Sequence, residues 1–177
     1  PFTLTFGKSP LEPIERPLQT MEIVDTFTAE TVNQQMFIIT GVQGSGKTVM
    51  MTEIARRLRE REDWVVIELN PATDLLQGML AKLNSNKVCA AIIKSAKIDL
   101  SFFGFGVAIE GVPPLTDTET AIITILEKLK KQDKRLLITI DEVTNNDYMK
   151  VFAGSFQIFV RQDLPVFLLA TGLYENI

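Results

Sequence analysis

The eight residues Gly41-Val42-Gln43-Gly44-Ser45-Gly46-Lys47-Thr48 occupy every fixed position of G-x-x-x-x-G-K-[ST], the pattern of a phosphate-binding loop. Its chemistry follows from its parts. Glycines let successive backbone N–H groups point into one concavity, and a helix starting there adds partial positive charge at its N-terminus. Such a loop holds an anion, for example a polyphosphate. Lys47 is expected to reach the β- and γ-phosphates and the Thr48 hydroxyl to help hold Mg²⁺, with Val49 counted among the nucleotide-binding residues. A second chemical feature is Asp141-Glu142, placed directly after the apolar run Leu136–Ile140. An apolar strand that delivers a carboxylate at its carboxyl end, beside a phosphate loop, suits metal-assisted phosphoryl chemistry. Asp141 would orient Mg²⁺ through water, and Glu142 would polarise a water that attacks the γ-phosphate.

These residues need particular elements to hold them. Met36–Thr40 reads as a short buried strand leading into the loop, and Thr48 to about Arg61 has helical period, with Met51, Ile54, Ala55 and Leu58 on one face. Trp64–Leu69 is a near-continuous apolar run, as expected of a parallel strand covered on both faces. A helix begins at Thr73 or Asp74, and Thr116-Asp117-Thr118-Glu119 has the form of a capping box opening another, through to Lys131. A further helix is predicted from about Asn146 to Val160, then a strand at Val166–Ala170. Strands alternating with helices imply a parallel sheet with helices on both faces. Earlier in the chain, Leu18–Thr31 has Met21, Val24 and Phe27 at helical spacing, with Thr20 as its cap, and residues 1–17 read as an extended arm. The aromatic, glycine-rich stretch Phe102–Ile109 reads as β-structure. Either it docks a neighbouring subunit or domain, or it belongs to the core or an edge hairpin.

Bulk composition narrows the classes. The chain has 177 residues, which suits one domain, with 46% hydrophobic and 23% charged residues, ordinary for a globular protein. A net charge of −4 argues against a general nucleic-acid grip in this segment. With one cysteine, Cys89, in an apolar setting, no internal disulfide can form, which fits a reducing cytosol and a cytoplasmic location. Histidine is absent, which excludes His-based triads and His-ligated metals. No run approaches the length of a membrane span, and the N-terminus lacks the order of a signal peptide. The start at Pro1 and the stop at Ile177, just past an apolar strand, read as the limits of a piece of a longer protein.

The phosphate loop (Walker A) followed by an Asp-Glu pair (Walker B) resembles the AAA+ P-loop ATPases, with an additional sheet strand between the two motifs. The opening Pro1–Gly7 and the closing Phe167–Leu173 resemble bacterial AAA-type ATP-binding proteins, which are similar to the archaeal-ATPase and origin-recognition branches. The resemblance implies a three-layer α/β/α P-loop fold over residues 18–177, with a mostly parallel sheet, a small β insertion, and a further domain beyond the C-terminal side. It implies Thr171 as the first sensor of the γ-phosphate, Asn70 as a ligand-dependent restraint on Glu142, and residues 10–16 as an arm over the adenine. It also implies self-association, with DNA contact only through regions outside this segment. The family's arginine finger and second sensor would lie beyond Thr171, and Arg161 falls at the wrong end of the sheet to replace them.

Three functions fit these residues. One is a Mg·ATP-hydrolysing domain that couples turnover to rearrangement of an attached domain, slow in the absence of those arginines. Another is a nucleotide-gated switch or scaffold with little turnover, against which Glu142 argues. The third is a small-molecule kinase, against which the missing arginine-rich lid argues. The basic residues Arg56, Arg57, Arg59 and Arg61 read as a solvated helix face, with Glu53 paired to Arg57.

Overall fold

The computed structural model describes residues 2–5 and 15–173, with side chains described from residue 18 onward. The elements in chain order are β1 (Phe2–Thr5), α1 (Glu15–Thr28), β2 (Met36–Gly41), α2 (Lys47–Arg59), β3 (Trp64–Leu69) and α3 (Leu75–Ser85). They continue with α4 (Lys87–Ser95), a 3₁₀ turn (Ser101–Phe103), α5 (Thr118–Lys131), β4 (Arg135–Ile140), α6 (Asp147–Arg161) and β5 (Val166–Leu173). The five strands form one sheet in the order β1-β2-β5-β4-β3, and every neighbouring pair is parallel. β5 thus separates the strand that enters the phosphate loop from the strand that ends at Asp141, as the resemblance implies.

Alternation along the strands sorts side chains into two cores, one on each face. Phe37, Ile39, Trp64, Leu137, Phe167 and Leu169 pack under α1 and α2 through Ile23, Phe27, Met51, Ile54 and Leu58. Val65, Ile67, Leu136, Ile138, Ile140, Val166 and Leu168 pack on the other face against α3, α4, α5 and α6. This is the three-layer α/β/α arrangement. In α6, Phe152, Phe156 and Phe159 recur at helical spacing and are buried, which docks the helix along one stripe. At the amino ends of the strands the Phe27 and Phe167 rings meet at 5.1 Å and Trp64 lies 5.0 Å from Phe167. There the Arg135 guanidinium donates to the carbonyls of Phe27 (2.6 Å) and Ala29 (2.9 Å), fastening the end of α1. That end of the sheet is closed and apolar; the carboxyl end is left to the loops.

The sequence expectations for β2, α2, β3, α3, α5, β4, α6 and β5 hold to within a few residues. Three details differ. Residues 84–114 hold no β insertion: Asn86 ends α3 and caps α4 by accepting from the Val88 and Cys89 amides, a helix whose short amphipathic pattern the sequence reading passed over. The Phe102–Ile109 stretch is a 3₁₀ turn and loop, organised from within by buried Asp99, whose carboxylate accepts from the Ser101 amide and hydroxyl and the Ile109 amide. Those bonds satisfy the backbone locally, so no strand partner is needed. In α1 the buried pair is Ile23 and Phe27, whereas Met21 is half exposed and Thr20 lies inside the helix, not at its cap. Within the arm, Phe2–Thr5 adds to the sheet beside β2, and residues 6–14, which include most of the adenine-arm candidate, lie outside the described residues. Cys89 is buried, and burial pushes its thiol up to about 12, which keeps it protonated and inert.

Candidate functional site

Parallel strands deliver their carboxyl ends to one edge, and the phosphate loop, Asn70, Asp141, Glu142 and Thr171 sit there. β2 ends at Gly41 and α2 starts at Lys47, so Val42–Gly46 is the turn between them. The turn requires Gly44 (φ +79°) and Gly46 (φ +83°, the residue capping α2), which adopt a left-handed backbone that a side chain would strain. Within the loop only the Ser45 amide closes back, onto the Val42 carbonyl at 3.2 Å. Among the described residues the amides of Gly44, Gly46, Lys47, Thr48 and Val49 have no protein acceptor, as expected at a helix N-terminus without a side-chain cap. Lys47 is buried, and its Nζ donates to the Val42 carbonyl at 2.8 Å, with Gly41 O and Ser45 Oγ further off at 3.4 and 3.5 Å. The cation is therefore threaded through its own loop. Gln43 and Gly44 are exposed, as are Val42 and Val49 at 44% and 74%; two apolar side chains flank the mouth of the loop.

On β4 the residues facing α2 are Leu137, Thr139 and, by the same alternation, Asp141. Asp141 meets α2 directly: the Thr48 hydroxyl lies 3.1 Å from each of its carboxylate oxygens. Thr171 on β5 is fully buried between them. Its hydroxyl donates to Asp141 Oδ1 at 2.5 Å and accepts from the Glu142 amide at 2.9 Å, while its carbonyl accepts from the Val143 amide at 2.8 Å. Glu142 itself has φ +57°, a left-handed backbone unusual for a residue with a side chain. Its side chain is exposed, and among the described residues its carboxylate has no hydrogen-bond or ion-pair partner.

Asn70 follows β3 opposite Asp141, since Leu69 pairs with Ile140 in register. Its side chain accepts from the Ala72 amide at 2.9 Å and its carbonyl from Thr73, an Asn-Pro turn of ordinary form. Asn70 therefore shares the edge but makes no hydrogen bond to Glu142 among the described residues. Glu68, Asn70, Pro71, Lys82 and Asp141 line an open cleft of about 420 Å³ beside the loop.

Asn146, which belongs to neither motif, joins the same edge. Its Oδ1 caps α6 by accepting from the Met149 amide at 2.8 Å, while its Nδ2 donates to Pro71 O at 2.8 Å and to Thr144 Oγ1 at 3.0 Å. An asparagine before an amphipathic helix is legible as a cap. The bond to Pro71, 75 residues away, is a product of the fold.

The donor set suits the groups the motifs imply. Unpaired loop amides and a lysine fit polyphosphate oxygens. A threonine hydroxyl touching an aspartate fits a small hard cation that keeps most of its water and takes one or two protein oxygens. No group of three or more His, Cys, Asp or Glu side chains that would cage a metal occurs among the described residues.

A family model described as an ATPase domain predominantly from Archaea matches residues 21–160. Among solved structures, the crystal structure of Cdc6p from Pyrobaculum aerophilum is similar in fold, with a TM-score of 0.54 at 15% identity. The alignment covers 96% of this chain and 41% of that one, so the chain spans well under half the length of its structural relative. No curated protein matches.

Proposed function

This chain belongs to the family of ATPase domains found predominantly in Archaea, AAA+-type P-loop proteins, and from that membership we propose that it binds Mg·ATP and hydrolyses it. The observation that carries the reading is the contact between Thr48 and Asp141, which joins the two motifs into one oxygen-rich site at the mouth of the phosphate loop. The free loop amides and Lys47 would hold the β- and γ-phosphates and spread the charge that builds on the transferring group. Thr48 and Asp141 would hold Mg²⁺, which when bound supplies electrostatic stabilisation of the phosphate oxygens. Glu142, exposed at the same edge, would accept a proton from water as the water oxygen bonds to the γ-phosphorus and the bond to the bridging oxygen breaks, leaving ADP and phosphate. Exposed Val42 and Val49 offer apolar surface to the nucleoside. In this reading, turnover would rearrange an attached domain.

The test is bound nucleotide and phosphate release measured together, for the parent and for Glu142→Gln. Binding in both, with release abolished in the variant, is the expected outcome. Equal release from both removes Glu142 from its assigned role, and binding without release in the parent replaces hydrolysis with a nucleotide-gated switch.

A further inference from the structure

The loop between β4 and α6 carries Glu142, and it is fastened at two points. At one, Thr171 binds the Glu142 and Val143 amides. At the other, Asn146 binds across to Pro71 O, in the turn that holds Asn70. Between them are only Thr144 and Asn145, with the Asn146 amide itself bonded to Thr144 O at 3.1 Å. A segment this short, pinned at both ends, has little freedom to let Glu142 relax from its left-handed backbone. The three bonds of the Asn146 amide group divide cleanly by atom. The oxygen serves α6, and the nitrogen serves the two loops.

We propose that Asn146 is a positioning residue: its Nδ2 ties the Glu142 loop to the Asn70-Pro71 turn, and so sets where the Glu142 carboxylate stands relative to the phosphate loop. A cap alone does not need asparagine, because serine and aspartate serve helix N-termini equally well. Neither can donate two hydrogen bonds while accepting the Met149 amide. The turn at Asn70 and the loop at Glu142 then move as one unit, and a ligand that shifts one shifts the other. The effect on turnover rests on the hydrolytic reading above; the coupling of the two loops does not.

Asn146→Ser and Asn146→Asp keep an acceptor for Met149 and lose the Nδ2 that donates to Pro71: aspartate has no donor, and serine keeps a single hydroxyl on a shorter side chain. Both should melt close to the parent. In both, amide hydrogen exchange, corrected for intrinsic rate, should speed by about tenfold or more at Ala72 and Thr73 and also at Glu142 and Val143, as expected when a local tether opens. Phosphate release should fall by about tenfold with nucleotide affinity unchanged, since misplacing a reacting group costs rate rather than binding. Unchanged exchange at these four amides would show that Asn146 is a helix cap and nothing more. Unchanged phosphate release from an active parent would equally overturn the positioning role. Should the parent release no phosphate at all, the hydrolytic reading fails by itself, and exchange at the four amides alone decides the coupling.

Discussion

At Thr171 one hydroxyl serves both acids at the end of β4: it donates to the Asp141 carboxylate and accepts from the Glu142 backbone. Full burial means that its hydroxyl would reach a bound phosphate only through those partners. Replacing it with valine leaves the part-buried Glu142 amide without an acceptor, which costs about 1–3 kcal/mol. Phosphate release from Thr171→Val should drop about 10- to 100-fold through misplacement of the two acids, whereas Thr171→Ser, which retains the hydroxyl, should stay close to the parent. Loss in Thr171→Ser with none in Thr171→Val would mean that the methyl group, not the hydroxyl, matters. The family resemblance is what placed this residue at the edge of the site. Only the tertiary structure shows that its hydroxyl is spent on Asp141 and Glu142. Asn70 illustrates the reverse: its place at the same edge was legible, and its Asx turn is what local sequence alone would form.

Among the elements, the segment between α4 and α5 departs most from its sequence pattern. Alternating aromatics and glycines resemble a hairpin, yet Asp99 gathers three donors and curls the chain into a compact loop that exposes Phe102 and Val107. The Ser101 hydroxyl, then the Ile109 and Ser101 amides, hold the Asp99 carboxyl below the usual carboxylate range. Because the folded group binds its proton less readily than the unfolded one, its stabilisation is complete above the ordinary carboxylate value and is lost as pH falls through the lower folded value. Protection of the Ile109 amide, relative to intrinsic exchange, should therefore weaken only at pH below that range. In Asp99→Asn it should be weak at neutral pH too. Protection that survives in the variant would move the loop's anchor elsewhere. On α2 the arginines behave as their spacing indicates: Arg56 and Arg57 both pair with Glu53 on an exposed face, and those bonds hold the Glu53 carboxyl down at about 2. Exposed pairs of this kind add little to stability.

For the molecule as a whole, the sheet separates tasks by end. Aromatic packing around Phe27, Trp64 and Phe167 closes the amino edge, while the carboxyl edge presents free amides, Lys47, Asp141 and Glu142. Binding at that edge is linked to the folding of all strands that meet there. Mg·ATP at a hundred times its dissociation constant should add about 2.7 kcal/mol to stability, seen as a rise in melting temperature that Lys47→Ala abolishes. A rise that persists in the variant would place the nucleotide elsewhere. No helix among the described residues is long and apolar enough to cross a membrane.

The amino-acid sequence by itself determined the strand–loop–helix around Gly41–Thr48, the acid pair after β4, and the alternation that makes a parallel α/β/α sandwich. These are short-range properties: residue type, hydrophobic period and cap chemistry act within a few positions of one another. What only the tertiary structure decided is who touches whom at the carboxyl edge. Thr48 on Asp141, Thr171 on both acids, and Asn146 on Pro71 join residues 93, 30, 29 and 75 positions apart. Such contacts depend on strand order and register, which place β5 between β2 and β4, and no local propensity encodes that order.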